Sequence, residues 1–348
     1  MALYTYVVAD VRTGIVREEI PFSNVKWSRI LNGAGGFSAT IRSRHPKATK
    51  GNLDPARTFL YVLRGDVVVW AGIIWSVRQV GGELNIAGLS IWSYFRHRNI
   101  RHTLTYTATN QLAIVRALLD YAQDQPGGDI GLVVGSETGG PARDRSYPGY
   151  ERKPVAEAIE QMSDNIDGFD FSIETTLSGS TFTNTFVPWY PRRGRRSNNV
   201  WEVGVHCDVN DWELDGSKTA NLMDAIGEGD GTNMLLATAA DTGLLETYPL
   251  LEDTVSYRDI SVPANLAEKA NTWLTNRRLP IAAVDLSLKQ TRDTQVGSFI
   301  EGDEVRVRGT DGWVELDDWY RVISFEVTVT DEGDESIAVK FKGAEAMQ

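Results

Sequence analysis

Apolar and polar residues alternate along most of this chain, in runs of five to ten residues broken by glycine-rich turns. Leu3–Ala9 and Ile15–Ile20 flank the turn Asp10-Val11-Arg12-Thr13-Gly14 and predict a hairpin. Val25–Ile30 and Phe37–Arg42 flank Asn32-Gly33-Ala34-Gly35-Gly36, whose residues supply the positive φ angles of tight turns. His45–Pro55, rich in Lys, Gly and Pro, reads as an exposed loop. A long strand is predicted from Gly65-Asp66, with Val67, Val69, Ala71, Ile73, Trp75 and Val77 on one buried face; Gly81-Gly82 turns it back through Glu83–Ser90.

The period then changes. Leu112, Val115, Leu119 and Ala122 recur three and four apart behind Thr109 and Asn110, either of which can cap a helix. Pro126-Gly127-Gly128 ends it, and Ile130–Val134 reads as a short strand. Residues 137–150 read as irregular. Pro154 suits the first turn of a second helix carrying Val155, Ala158, Ile159 and Met162, with Gly168 as its stop. Phe169, Phe171 and Ile173 alternate again. Short strands are expected over Val200–Ala239, a third helix from Pro263 with Leu266, Ala270, Trp273 and Leu274 on one side, and a strand at Ile281–Leu288. The clearest alternation comes last: Ile323, Phe325, Val327 and Val329, answered by Ile337, Val339 and Phe341 across the turn Asp331–Asp334.

The fold class expected is mainly β with an α+β insert: two β-barrel-like domains flanking a small α+β domain. The boundaries fall at 1–107 for the first barrel, 108–199 for the insert, and 200–348 for the second barrel with one helix at about 263–277. An internal echo supports the pairing of barrels. Gly65-Asp66-Val67-Val68-Val69 and Gly302-Asp303-Glu304-Val305-Arg306-Val307 both open strands, which would make Val67 and Val305 equivalent if the chain is duplicated.

Composition narrows the classes. A chain of 348 residues, 42% hydrophobic and 24% charged, is of ordinary globular make-up and can bury a core without metals or disulfides. Cys207, the single cysteine, excludes an intramolecular disulfide, and no CxxC pair offers a zinc site. No apolar run is long enough to cross a bilayer, and Met1–Asp10 does not read as a signal peptide, so synthesis in the cytosol is the simple expectation. The formal charge of −12 makes the chain a poor general binder of nucleic acid. One segment departs from that balance. Arg192, Arg193, Arg195 and Arg196 lie in Pro191–Arg196, which reads either as a solvated loop or as a contact with an acidic partner.

Candidate chemistry is sparse. His45, His97, His102 and His206 are the side chains that titrate near neutrality, and none has the spacing of a zinc motif. His206 and Cys207 are chain neighbours, so on a strand they point to opposite faces and cannot act as a nucleophile and base. No G-x-S-x-G elbow occurs, and the glycine-rich Gly227–Gly231 lacks the lysine of a phosphate loop. Glu137, Asp144 and Glu151 are the carboxylates a glycoside hydrolase could use, and exposed tryptophans could serve a carbohydrate-binding adhesin. Trp75 and Trp273, however, fall on expected core faces. No catalytic residue, metal ligand or cofactor is assigned.

The order of several segments is more specific than any one of them. Glu83–Ser90 leads into Ser93-Tyr94-Phe95-Arg96-His97-Arg98-Asn99-Ile100; a helix follows, then Arg143-Asp144-Arg145-Ser146-Tyr147, the Pro154 helix and Asp167-Gly168-Phe169-Asp170-Phe171. Leu251–Tyr257, the third helix and Gly302–Val307 complete the series. This succession, over about 60–343, resembles the minor tail proteins of long-tailed bacteriophages infecting actinobacteria, in particular the tail-tip (baseplate) hub group. The resemblance implies a structural protein of the virion rather than an enzyme: a homotrimer at the distal tail tip, assembled in the host cytoplasm, in which two similar barrels per subunit present a pseudo-six-fold face. It implies as partners the distal tail protein ring, the tape measure protein, the central spike or fibre and other minor tail proteins, with DNA passing through without specific binding. It brings no catalytic residues to carry over.

Overall fold

The computed structural model describes residues 3–165, 167–258, 260–278 and 281–343. Seven strands form the first half of the main sheet: β1 (Tyr4–Asp10), β2 (Val16–Glu19), β3 (Ser23–Ile30), β4 (Gly36–Arg42), β5 (Thr58–Arg64), β6 (Val67–Val80) and β7 (Glu83–Ser90). They lie side by side in the order β2-β1-β5-β6-β7-β4-β3. β5 escapes an alternation search because Phe59–Leu63 are all buried, with apolar neighbours on both faces. Its partner β6 also corrects the sequence reading. Bulges at Val69 and Trp75 reset the alternation, so Trp70 and Ile74 enter one core while Ile73 enters another, and Val67 is exposed.

The middle unit comprises β8 (Leu104–Asn110), α1 (Gln111–Asp124), β9 (Leu132–Val134), β10 (Ala142–Tyr147), α2 (Val155–Ser163), β11 (Asp170–Ser178) and β12 (Thr181–Trp189). Asn110 is the cap: its side chain accepts from the backbone N–H of Leu112 at 3.1 Å and of Ala113 at 3.4 Å, an arrangement worth about 1 kcal/mol. The helix faces read from the sequence are the buried ones, Leu112, Val115, Leu119 and Ala122 on α1 and Val155, Ala158, Ile159 and Met162 on α2. They close a core with Phe59, Tyr61, Ile73, Trp92 and Phe171. The supposedly irregular 137–150 contains a strand, because β10 pairs antiparallel with β8 across Ala142–Asn110 to Tyr147–Leu104.

The chain then returns to the main sheet with β13 (Arg196–Glu202) and β14 (Cys207–Asp215). It leaves again for a third unit: β15 (Leu222–Ile226), β16 (Leu236–Ala240), β17 (Glu252–Ser256) and α3 (Pro263–Arg277), whose Leu266, Ala270 and Leu274 pack on Met223 and Ala225. The main sheet is completed by β18 (Ile281–Leu288), β19 (Glu304–Asp311), β20 (Val314–Val329) and β21 (Glu335–Gly343). As expected, Ile337 faces Val327 and Val339 faces Phe325; a bulge at Ile323 leaves Val322 to face Phe341.

β3 pairs antiparallel with β20, Ser324 opposite Ile30 through Val329 opposite Val25, and this ladder fuses both halves into one sheet of 13 strands. The main-β class with its α+β insert therefore stands, but the sheet path is open, with β2 and β14 at its ends, and the two expected barrels do not close as separate bodies.

The two halves nevertheless repeat. β5-β6-β7-β4-β3 and β19-β20-β21-β18-β14 are adjacent in the same order. Three paired positions precede a bulge in both long hairpins, Gly72–Ile74 before Trp75 and Tyr320–Val322 before Ile323. Aligned on that bulge, Ile74 matches Val322, Phe37 matches Val284, and Trp27 matches Trp212. The Gly-Asp echo fails by one strand: Val67 opens β6, whereas Val305 lies in β19 and matches Leu60 of β5. The repeat also breaks at its first strand, since β1 runs antiparallel to β5 and β13 parallel to β19. In the first half the β3–β4 turn is closed by Gly35, where a Cβ would stand 1.8 Å from the Ser28 carbonyl oxygen. In the second half the matching connection runs from β14 to β18 and holds the whole third unit.

That unit is tied to the middle one by Arg143–Glu268 at 2.5 Å and by Lys269, whose ammonium donates to the side chain of Asn165. Burial pushes the Lys269 ammonium down to about 8, with Arg145 adding to the effect. Between about pH 8 and the ordinary lysine value the unfolded chain binds the extra proton, so stability rises with pH over that window. In urea titrations at pH 7.5 and 9.5, the wild type should gain stability relative to Lys269→Met as pH rises; an equal response of both proteins would show that Lys269 is solvated.

Candidate functional site

Pro191–Arg196, the basic segment of the sequence, crosses from β12 to β13 over the place where β3, β11 and the loop before β19 meet. Gly194 makes the crossing possible: its φ is +89° and a Cβ there would stand 2.2 Å from the backbone carbon of Gly302. Beside it Arg193 turns inward, its side chain 4% exposed. Its guanidinium pairs with Glu301, which is 2% exposed, and with Glu174 at 2.5 Å, and it lies 4.5 Å over the Trp189 ring. Arg29 of β3 reaches the same two carboxylates at 2.9 Å each. Arg321 of β20 pairs with Asp170 and donates to the carbonyls of Gly302 at 3.2 Å and Arg193 at 3.1 Å. Asp170 also accepts from the Arg193 backbone N–H at 2.6 Å and from the Asn32 amide at 2.9 Å.

Arg29, Arg193 and Arg321 thus meet Asp170, Glu174 and Glu301, three charges of each sign. Burial alone would raise the Glu174 carboxyl, but Arg29 and Arg193 outweigh it and hold the group below the usual carboxylate range. Burial likewise opposes the charge on Arg29, and Glu301 and Glu174 overcome it. Removing one member of a buried cluster of this kind leaves an uncompensated charge, which couples the segments that carry it. Here those segments are β3, β11, the Arg193 crossing, the Glu301 loop and β20. The arrangement is a lock between the sheet halves and the middle unit.

The other three arginines lie outside the lock. Arg192 approaches Glu304 at 3.7 Å, and burial, helped by Arg321, lowers its basicity. Arg196 pairs with Glu304 at 2.9 Å and lies 4.5 Å over the Trp319 ring. Arg195 is exposed; its backbone N–H donates to Asp303 at 2.8 Å. Arg195 and Arg196 line a polar crevice of about 230 Å³ with Asn199, Asp293 and Asp303. A second crevice, of about 50 Å³, lies between β3, β6 and β11. Both are smaller than the roughly 300–1,000 Å³ of usual small-molecule sites.

Of the carboxylates considered for hydrolysis, Asp144 accepts from the Ala108 backbone N–H at 2.7 Å, Glu137 offers its backbone carbonyl to Arg116 at 2.8 Å, and Glu151 is exposed in a short helical turn. The histidines are dispersed: His45 and His206 accept backbone N–H groups, and the His97 ring lies tilted against Trp75, 4.7 Å between centroids. Cys207 is buried, which pushes its thiol up to about 11, away from nucleophile chemistry. Among the described residues no group of three or more His, Cys, Asp or Glu is placed to hold a metal ion, and no helix is long and apolar enough to cross a membrane. Trp75 and Trp273 are half-buried, and Trp313 alone among the tryptophans is strongly exposed, at 81%.

The sequence reading missed Arg29, Asp170, Glu174, Glu301 and Arg321. Arg29 did carry a signal, standing in phase with Val25 and Trp27 on the inward face of β3.

No protein-family model and no curated protein matches the chain. Solved structures do. The 43 kDa tail protein of prophage MuSo2 from Shewanella oneidensis aligns with a TM-score of 0.64 at 11% identity, covering 99% of both chains. A tail protein from Neisseria meningitidis MC58 aligns with a TM-score of 0.62 at 15% identity over 98% of this chain and 97% of that one. Prophage tail protein gp18 from Listeria monocytogenes EGD-e aligns with a TM-score of 0.59 at 11% identity over 98% and 95%. At these identities the likeness is one of fold, and this chain shares the fold of these three tail proteins.

Proposed function

We propose that the chain is a structural component of a bacteriophage tail, the hub at its distal tip, and not an enzyme. The observation that carries this reading is the end-to-end match to prophage tail proteins, each covered over 95% or more of its length. The internal repeat supports a hub in particular: a homotrimer of chains with two like β halves offers six similar surfaces to the six-fold rings of a tail tube. The three segments 1–107, 108–199 and 200–348 would then be its assembly units, the first and last forming the ring and the middle one facing the spike or fibre and other minor tail proteins. Three chains of −12 carry −36. Where part of that charge faces the channel, like-charge repulsion keeps passing DNA from adhering, and the exposed Arg195 belongs on an outer, acidic partner surface. The distal tail protein ring and the tape measure protein are the partners such a position brings.

Antibody against the chain should label the distal end of the tail in purified particles, and particles lacking it should be non-infectious. The purified protein should release no more reducing ends from peptidoglycan than buffer does. A chain absent from particles, or hydrolysis abolished by Glu137→Gln or Glu151→Gln, overturns the proposal.

A further inference from the structure

The repeat leaves two strand edges unmatched, and their registers specify what covers them. Within the chain, β3 lies along β20 beside β19, both on the edge opposite β21. In the first half the matching edge of β6 carries β5 only as far as Ile73, and among the described residues Ser76–Val80 have a ladder to β7 alone. In the second half Asp211–Asp215 of β14, the counterpart of β3, have a ladder to β18 alone among the described residues. One half thus has an acceptor edge without a strand, and the other a strand without an acceptor.

We propose that β14 of one copy of this chain adds antiparallel to Ser76–Val80 of β6 on a second copy, repeating between chains the joint that β3 and β20 make within one. This deepens the tail-hub reading and rests on it. Transferring the internal register places Asp215 opposite Ser76, Leu214 opposite Val77, Glu213 opposite Arg78, Trp212 opposite Gln79 and Asp211 opposite Val80.

Two further observations support that register. The first is burial. Trp27 is 1% exposed under the internal joint, whereas its counterpart Trp212 is only half-buried and Leu214, two residues on and on the same face, is 52% exposed opposite the half-buried Val77. Added strands would cover this apolar row. The second is charge. Lys26 and Glu326 form a cross-strand ion pair at 3.6 Å in the internal joint. Their counterparts are Asp211 and Arg78, the same diagonal pair with the signs exchanged, and Glu213 adds an acid directly opposite Arg78. An arginine on one edge and three acids on the other make the contact complementary and disfavour either edge pairing with itself. The joint is head-to-tail, using different faces of each copy, the kind of contact from which a closed ring is built when its rotation closes.

Paired residues on adjacent strands have Cα separations a disulfide can span. In a Cys207→Ala background, Val77→Cys and Leu214→Cys should be combined in one chain and oxidised, both as purified protein and in phage particles carrying the variant gene. The expected result is a reducible, covalent multimer, absent from either single variant and from the shifted pair Val77→Cys with Val209→Cys. Arg78→Glu should raise at least tenfold the concentration at which copies associate, and adding Asp211→Arg should restore it while circular dichroism stays unchanged. No cross-link in either setting, or equal cross-linking of the shifted pair, overturns the proposal. Particles with the chain at the tail tip and the two introduced thiols unlinked overturn the edge joint but leave the tail reading intact. Cross-linked rings of a chain that no particle contains uphold the joint and overturn that reading.

Discussion

Glu301→Gln should destabilise the chain by roughly 3–5 kcal/mol, the usual cost of removing one partner from a buried ion pair. The glutamine keeps the shape but removes a charge that two guanidiniums approach, Arg193 and Arg29, leaving Glu174 to neutralise both. Removing Arg193 and Glu301 together is a different perturbation. Arg193→Met with Glu301→Leu leaves Arg29 with Glu174 and Arg321 with Asp170, each charge matched. The double variant should therefore be less destabilised than Glu301→Gln alone, the non-additivity expected of residues in one network. Asp317→Asn, which breaks the half-exposed pair with Arg306, is the control and should change stability by about 1 kcal/mol or less. Urea midpoints of the four proteins decide the matter. A double variant at least as destabilised as Glu301→Gln, or a control as costly as Glu301→Gln, would show that the cluster is wet and that the lock is not ionic.

Trp27→Ala should cost about 3–5 kcal/mol, because its ring is enclosed between the two halves and nothing else fills the space. It packs edge-on against Phe325 at 5.8 Å and faces Val327 across the β3–β20 ladder. Trp212→Ala removes the counterpart in the second half, which is half-buried and stands 5.0 Å from the strongly exposed Trp313. In dilute monomer the second change should cost distinctly less than the first. The comparison checks the repeat directly, since two tryptophans at matched positions are predicted to differ only because one edge is covered within the chain and the other is not. Equal losses would mean that Trp212 is already enclosed.

How far the sequence disclosed this fold depended on what each residue faces. Helices with one buried side, such as α1 behind Asn110, were legible in full, since period and cap agree. Phe325, Val327 and Val329 were legible because β20 near its end has a core on one face only. β5 and β6 were not, because both faces are buried and bulges interrupt the phase. The β3–β20 ladder had no local signature at all; it joins segments that pattern reasoning treats separately, and for that reason the two halves read as distinct barrels. The basic segment was visible as a group of arginines, but the acids that take up Arg193 come from Glu174 and Glu301, which read in isolation as ordinary surface charges.

The same ladder has a consequence for how the chain is made. Arg29 meets Glu301 272 residues later, and the Tyr4 hydroxyl donates to Glu335 across 331 residues. At synthesis rates of roughly 5–20 residues per second, the first half is made on the order of 12–48 s before its partner strand is complete. Throughout that interval the outer edge of β3 is an unpaired strand on a nearly finished sheet, the kind of edge that invites aggregation. Lys26 and Arg29 stand on that edge. In the completed molecule Lys26 is neutralised by Glu326 and Arg29 by Glu174 and Glu301; on the nascent chain Arg29 lacks both acids until β11 and the loop before β19 are made, and Lys26 lacks its partner until β20 arrives, which favours keeping the edge in water.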